Sequence, residues 1–132
     1  MTTQFSVAAR NAAADAIEGV IGAEPTLRIR TGALPASAAA ARSGTILAEV
    51  VLAPDWLGNA VNGVKTAAAI PEFAAIETGA AGHYEIVQGV TCHWQGTVTA
   101  TGDGGSMQLA DINLSANQLV RINSLTLAMG GA

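Results

Sequence analysis

Between Thr91 and Thr99 the side chains alternate in kind: Cys92, Trp94 and Val98 fall on one parity, and Thr91, His93, Gln95, Thr97 and Thr99 on the other. A period of two belongs to an extended strand with one buried face, and no other feature constrains the chain as tightly. The strand carrying this alternation is read as Val90 to Thr101, and Gly82 to Gln88 as a strand before it, the two joined at Gly89 and predicted to pair as a hairpin. Folded about Gly89, that hairpin sets Glu85 near His93 and His83 near Gln95, a cross-strand polar ladder.

The same period recurs along the chain. Leu27, Ile29 and Thr31 alternate with Arg28 and Arg30, and Thr45 to Leu52 reads as a strand with Ile46, Ala48, Val50 and Leu52 on one face. Leu47 and Val51 are apolar as well, which predicts a central strand covered on both sides. Val64 to Ile70 reads as a weak third strand ended by Pro71, and Trp56 with Leu57 as an apolar plug at one end of a core. Thr101 to Ser106 and Ser115 to Gln118 have turn compositions, the first read as a plain hairpin turn. Leu119 to Ala128 closes the chain as a strand whose apolar phase slips between Ile122 and Leu125, the mark of a bulge or of burial on both faces. Short strands punctuated by Gly, Pro and Ser predict a mainly β fold, an antiparallel β-sandwich over 25–132.

One segment departs from this pattern. After Ser6, a good N-cap, Val7, Ala8, Ala12, Ala16, Ile17 and Val20 recur at three- and four-residue spacings, with Gly19 and Gly22 as stops. An N-terminal helical arm over 1–24 is predicted, its alanine-rich stripe packed on a sheet or on another subunit.

Composition bears on partners. Charged residues make up 12% of 132 residues, about half the roughly 25% usual in globular domains, and beyond Glu85 only Asp103, Asp111 and Arg121 carry charge. Aromatic residues make up 4% and alanine is the commonest residue, so few large side chains anchor the core. A net charge of -4 argues against nucleic acid. No stretch resembles a secretion signal or a membrane span, and a protein made in the cytoplasm is expected. A surface this poor in charge predicts cover by neighbouring protein and a homo-oligomer. The nearly uncharged last strands supply the candidate interface residues Leu119, Arg121, Leu125 and Leu127, and their free edge invites pairing with another chain. Arg28 and Arg30, alternate residues on one strand face, are candidates for gripping an acidic partner.

Reactive side chains are few. Cys92 and His93 are neighbours in a strand and point to opposite faces, so they form neither a thiol–imidazole pair nor a shared metal site. Asp103 in its glycine-rich turn is a single carboxylate, far short of a calcium site. No catalytic, cofactor-binding or metal-ligating set is expected, and the chain does not read as an enzyme.

Several pieces together resemble a family of small tailed-bacteriophage virion proteins: Leu27 to Gly32 followed by Pro35-Ala36, Gly44 to Glu49, Ala80 to Ile86, Thr91 to Thr99, and Thr101 to Met107. The likeness covers most of residues 26–128. It implies a structural protein of the virion that decorates or cements the capsid and has the major capsid protein or other virion proteins as partners. A location at the neck, tail or fibre is the alternative within that family. Outside it, a small carbohydrate- or receptor-binding module is the alternative, for which only Trp56 and Tyr84 remain as sugar-stacking rings once Trp94 is assigned to the core.

Overall fold

A computed structural model describes residues 3–130; the two residues at each end, which belong to the predicted arm and sandwich, lie outside the described residues. Helix α1 spans Val7–Ile21. Ser6 caps it, its hydroxyl accepting from the Ala9 amide at 3.1 Å, and Gly22 ends it at φ 83°, its N–H donating to Glu18 O. The Gln88 amide donates to Ile21 O and Ala23 O, and the Trp56 indole donates to Gly22 O. These bonds satisfy carbonyls that a helix terminus leaves open.

The helix buries a different face from the predicted stripe. Val7, Ala8, Ala12, Ala16 and Val20 are exposed, Ile17 is half-buried, and the buried residues are Ala14 and Ile21. Polar contacts account for the rotation. Asp15 and Glu18 reach Lys65, Arg10 donates from Nη1 to Asn62 O, and Asn11 Oδ1 accepts from the Gly63 amide at 2.7 Å. The docked side of α1 combines these polar groups with Ala14, Ile17 and Ile21, which pack inward.

Among the described residues ten strands follow: β1 (Thr26–Thr31), β2 (Ile46–Val51), β3 (Val64–Thr66), β4 (Phe73–Ala74), β5 (Gly79–Gln88), β6 (Thr91–Ala100), β7 (Met107–Leu109), β8 (Asn113–Leu114), β9 (Leu119–Val120) and β10 (Ile122–Ala128). One sheet runs in the order β2-β1-β5-β6-β7-β10-β3 with β8 on β5, and β4 pairs with β9 in a small second sheet. Leu27 and Ile29 of β1, Tyr84 and Ile86 of β5, Met107 and Leu109 of β7, Val120 of β9 and Leu125 of β10 share one core with the Trp56–Leu57 plug. The two ends of the long sheet and the small sheet thus enclose a single apolar interior, the mainly β, sandwich-like arrangement expected, with one N-terminal helix.

Four details correct the sequence reading. Strand β2 is an edge strand; Leu47 is buried because the register slips there, and Ile76 N and Glu77 N donate to its carbonyl. Thr101–Ser106 is not a hairpin turn: β7 runs parallel to β6, Val98 opposite Met107, so the loop doubles back. Gly102 and Gly104 take positive φ to do this, and a Cβ on Gly105 would stand 2.8 Å from Thr99 Oγ1. The last strand has no free edge, since β10 pairs with β7 through Ile122–Leu125 and with β3 through Thr126–Ala128. Its slip in apolar phase is a bulge between Ile122 and Ser124.

The fourth correction shapes the polar face. The hairpin turns on Gly89-Val90, with Gln88 opposite Thr91, and β6 carries an extra residue at His93. Glu85 is therefore opposite Gln95 and His83 opposite Thr97, displaced by two from the predicted ladder. Cys92 ends up opposite Val87, on the same side as Gln95, while Trp94 stays on the core side opposite Ile86. A bulge exchanges faces for all residues beyond it.

Candidate functional site

The most highly organised polar group lies on the face of β1, β5 and β6 away from the core. Period-two alternation puts Arg28 and Arg30 of β1 on one face, Arg28 opposite Glu85 of β5 and Arg30 opposite His83, one step along from Glu85 on the same face. Glu85 is fully buried. Its Oε1 accepts from Arg30 Nε at 2.7 Å and lies 3.7 Å from Arg28 Nη1; its Oε2 lies 3.3 Å from Arg42 Nη1. Arg28 Nε also bonds Glu49 Oε2 at 2.6 Å, on β2. A buried carboxylate needs such partners, because desolvation of an unpaired charge costs several kcal/mol, roughly, in a protein interior.

Arg42 belongs to the irregular 32–43 segment and folds that segment over the sheet. Its Nη2 donates to the carbonyls of Ser37, Ala38 and Ala40, and its Nη1 donates to Gln95 Oε1 at 2.8 Å. Gln95 in turn donates to Pro35 O. Cys92 Sγ lies 3.4 Å from Arg42 Nη1. Burial pushes the Cys92 thiol above its ordinary pKa, with Glu85 adding to the rise and Arg42 opposing it. A thiol held protonated is a poor nucleophile.

The histidines are apart. His83 is fully buried, with Nδ1 3.0 Å from Gly32 O and, among the described residues, no hydrogen-bond partner at Nε2. Because a carbonyl only accepts, Nδ1 donates in that bond. His93 lines a shallow depression with Ile17, Val20 and Ile21 of α1. Among the described residues no group of three or more His, Cys, Asp or Glu is placed to hold a metal ion.

The candidate interface residues scatter. Leu119 is 60% exposed and Arg121 is exposed between β9 and β10. Leu127 is half-buried against the core. Leu125 is 1% exposed and is a core residue, so no contact of the folded chain runs through it. Arg28 and Arg30 do share a face as expected, but Arg30 is committed to Glu85 and to Gly44 O.

Sequence reasoning missed Arg42 and set Glu85 in a ladder beside His93, not opposite Gln95 and among the arginines. Arg42 follows a run of alanines in a segment without period, and its role depends on a fold-back over strands 43 to 53 residues away. The alanine-rich stripe of α1, expected to pack on a sheet or on another subunit, does not pack on the sheet: Ala8, Ala12, Ala16 and Val20, at a spacing of four, are exposed. Comparison with protein-family models, with curated proteins and with solved structures finds no match to this chain.

Proposed function

We propose that the chain is a non-enzymatic structural subunit of a larger assembly, and that the assembly is a tailed-phage particle whose capsid it decorates or cements. The observation that carries this reading is the orientation of α1. An ordinary surface helix turns its apolar stripe inward and its charges outward. Here Asp15, Glu18, Arg10 and Asn11 share the docking with Ala14, Ile17 and Ile21, while Val7, Ala8, Ala12, Ala16 and Val20 face out. Contiguous apolar surface of this kind is characteristic of protein contacts, and the alanines admit close approach of another chain. The low charge of the whole sequence agrees with it. The choice of a phage particle rests on the resemblance of residues 26–128 to virion proteins.

The sugar-binding alternative loses its contact residues. Trp56 and Tyr84 are buried, and Trp94 packs against both, at ring-centroid distances of 6.0 and 5.8 Å.

The test combines sedimentation velocity of the purified chain with immunodetection in particles from cells that express it. The expected result is self-association or a stoichiometric band in particles, abolished by Val20→Asp at unchanged Tm. A wild-type chain that stays monomeric at high concentration and is missing from particles made in the same cells overturns the reading.

A further inference from the structure

We infer that the groove between the 38–42 segment and the β5–β6 hairpin is a binding site for a single carboxylate carried on an apolar body. The groove encloses about 550 Å³, within the range of small-molecule sites. Arg28, Arg42, Thr91 and Cys92 supply its polar lining, and Val87, Val90 and the alanines of the 38–42 segment its apolar walls.

Three guanidiniums, of Arg28, Arg30 and Arg42, meet two carboxylates, of Glu49 and Glu85, so that among the described residues the cluster as a whole keeps one positive charge in excess. Hydrogen bonding shows where its free donors lie. Arg42 uses all three nitrogens, and Arg30 uses Nε and Nη1. Arg28 gives only Nε, to Glu49; among the described residues neither of its Nη atoms has a hydrogen-bond partner, Glu85 Oε1 being 3.7 Å away. Its side chain is 28% exposed and lines the groove. A guanidinium offers a planar fork that matches the two oxygens of a carboxylate.

The same count selects the ligand class. A carboxylate neutralises one charge, whereas a phosphomonoester brings about 1.5 to 2 negative charges at neutral pH, with Glu49 and Glu85 already beside the site. The apolar walls ask for a hydrocarbon body behind the carboxylate. A free short-chain carboxylic acid and a glutamate side chain of another protein share this chemistry. The site stands apart from the outward face of α1 and does not depend on the assembly reading.

The test is an NMR titration of the full chain with butyrate, with butyramide, and with an end-blocked alanine pentapeptide bearing one central glutamate. Butyrate or the peptide should give saturable shifts at the Arg28 Nε–H and at the amides of Ala39, Ala41 and Thr91. Tighter binding of the peptide assigns the site to a partner chain, and tighter binding of butyrate to a free acid. Arg28→Gln should weaken binding roughly tenfold or more, the loss of a charge-assisted hydrogen bond, while Arg121→Gln should leave it unchanged. Arg30 and Arg42 remain on Glu85 in the Gln variant; if that variant does not fold, Arg28→Lys keeps the charge, loses the fork and should bind more weakly. Equal shifts with butyramide, wild-type affinity without the Arg28 fork, or no saturation with either acid overturns the proposal.

Discussion

Tyr84 and Ser106 meet hydroxyl to hydroxyl at 2.6 Å across the β6 strand, and the contact exists because residue 96 has no side chain. A Cβ on Gly96 would stand 2.5 Å from Tyr84 Oη and 2.6 Å from Ser106 Oγ. Gly96→Ala should therefore destabilise by about 1–3 kcal/mol through overpacking and loss of the buried hydrogen bond. Denaturant unfolding of Gly96→Ala, Tyr84→Phe and the double variant checks it. The double variant should cost less than the sum of the two, because both act on one contact; strict additivity would show that Gly96 has another role.

Tyr84 also sets an alkaline limit. Burial pushes its hydroxyl from 10.0 up to about 12, against the opposing hydrogen bonds with Ser106 and Trp94. The folded chain thus keeps a proton that the unfolded chain loses, so the stabilisation is complete below pH 10 and is lost as pH rises toward about 12. This is the sole tyrosine, so phenolate absorbance reads it without ambiguity. Ionisation should coincide with unfolding or occur near 12 in the folded chain. A folded protein whose phenol titrates near 10 would contradict the burial.

The parts of the fold legible in the sequence are those governed by local period and by turn residues. Leu27 and Ile29 alternate with Arg28 and Arg30 as read, Gly89 makes the hairpin turn, and Ser6 and Gly22 bound the helix. Errors arise where one residue is inserted or where long-range charge decides. The extra residue at His93 moves Cys92 to the side of Gln95, and nothing in the period of two announces it. Likewise, the face α1 buries is chosen by Lys65, 50 residues from Asp15. Glu85 and Arg42 became a site only through such distant pairing, whereas Arg28 and Arg30 were visible as neighbours on one face.

Lys65 makes the helix docking asymmetric. Its side chain is buried, whereas the Asp15 side chain is 62% exposed and Glu18, at 3.0 Å, 26% exposed. Burial lowers the ammonium's pKa, but hydrogen bonds and charge from Asp15 and Glu18 more than reverse this and hold it above its ordinary value. Asp15→Asn combined with Glu18→Gln removes both counter-charges of the Lys65 ammonium and should cost about 1–3 kcal/mol. Lys65→Met leaves both carboxylates within reach of water and should cost clearly less. The raised pKa gives the sign with pH: the contribution is intact below the ordinary lysine value and fades above it. Thermal unfolding of the two variants, compared near neutrality, settles the order; equal losses would mean that Lys65 acts by packing alone.

Cys92 reports on the electrostatics around Glu85. Its thiol is raised first by burial and then by the Glu85 carboxylate, with Arg42 pulling the other way. Alkylation of the native chain by iodoacetamide should accordingly be slower than in denaturant, with a rate–pH profile displaced upward, since only the thiolate reacts. Glu85→Gln removes a raising influence and leaves the guanidinium of Arg42 nearby, so the profile should move down and alkylation at neutral pH should quicken. The substitution also leaves Arg30 and Arg42 without their buried counter-charge, which costs stability. The rate is therefore measured well below the variant's Tm and compared with that of its denatured chain. A downward displacement with the native rate still below the denatured one marks an electrostatic effect. An unmoved profile would mean that the Glu85 charge is neutralised by its arginines before it reaches the sulfur.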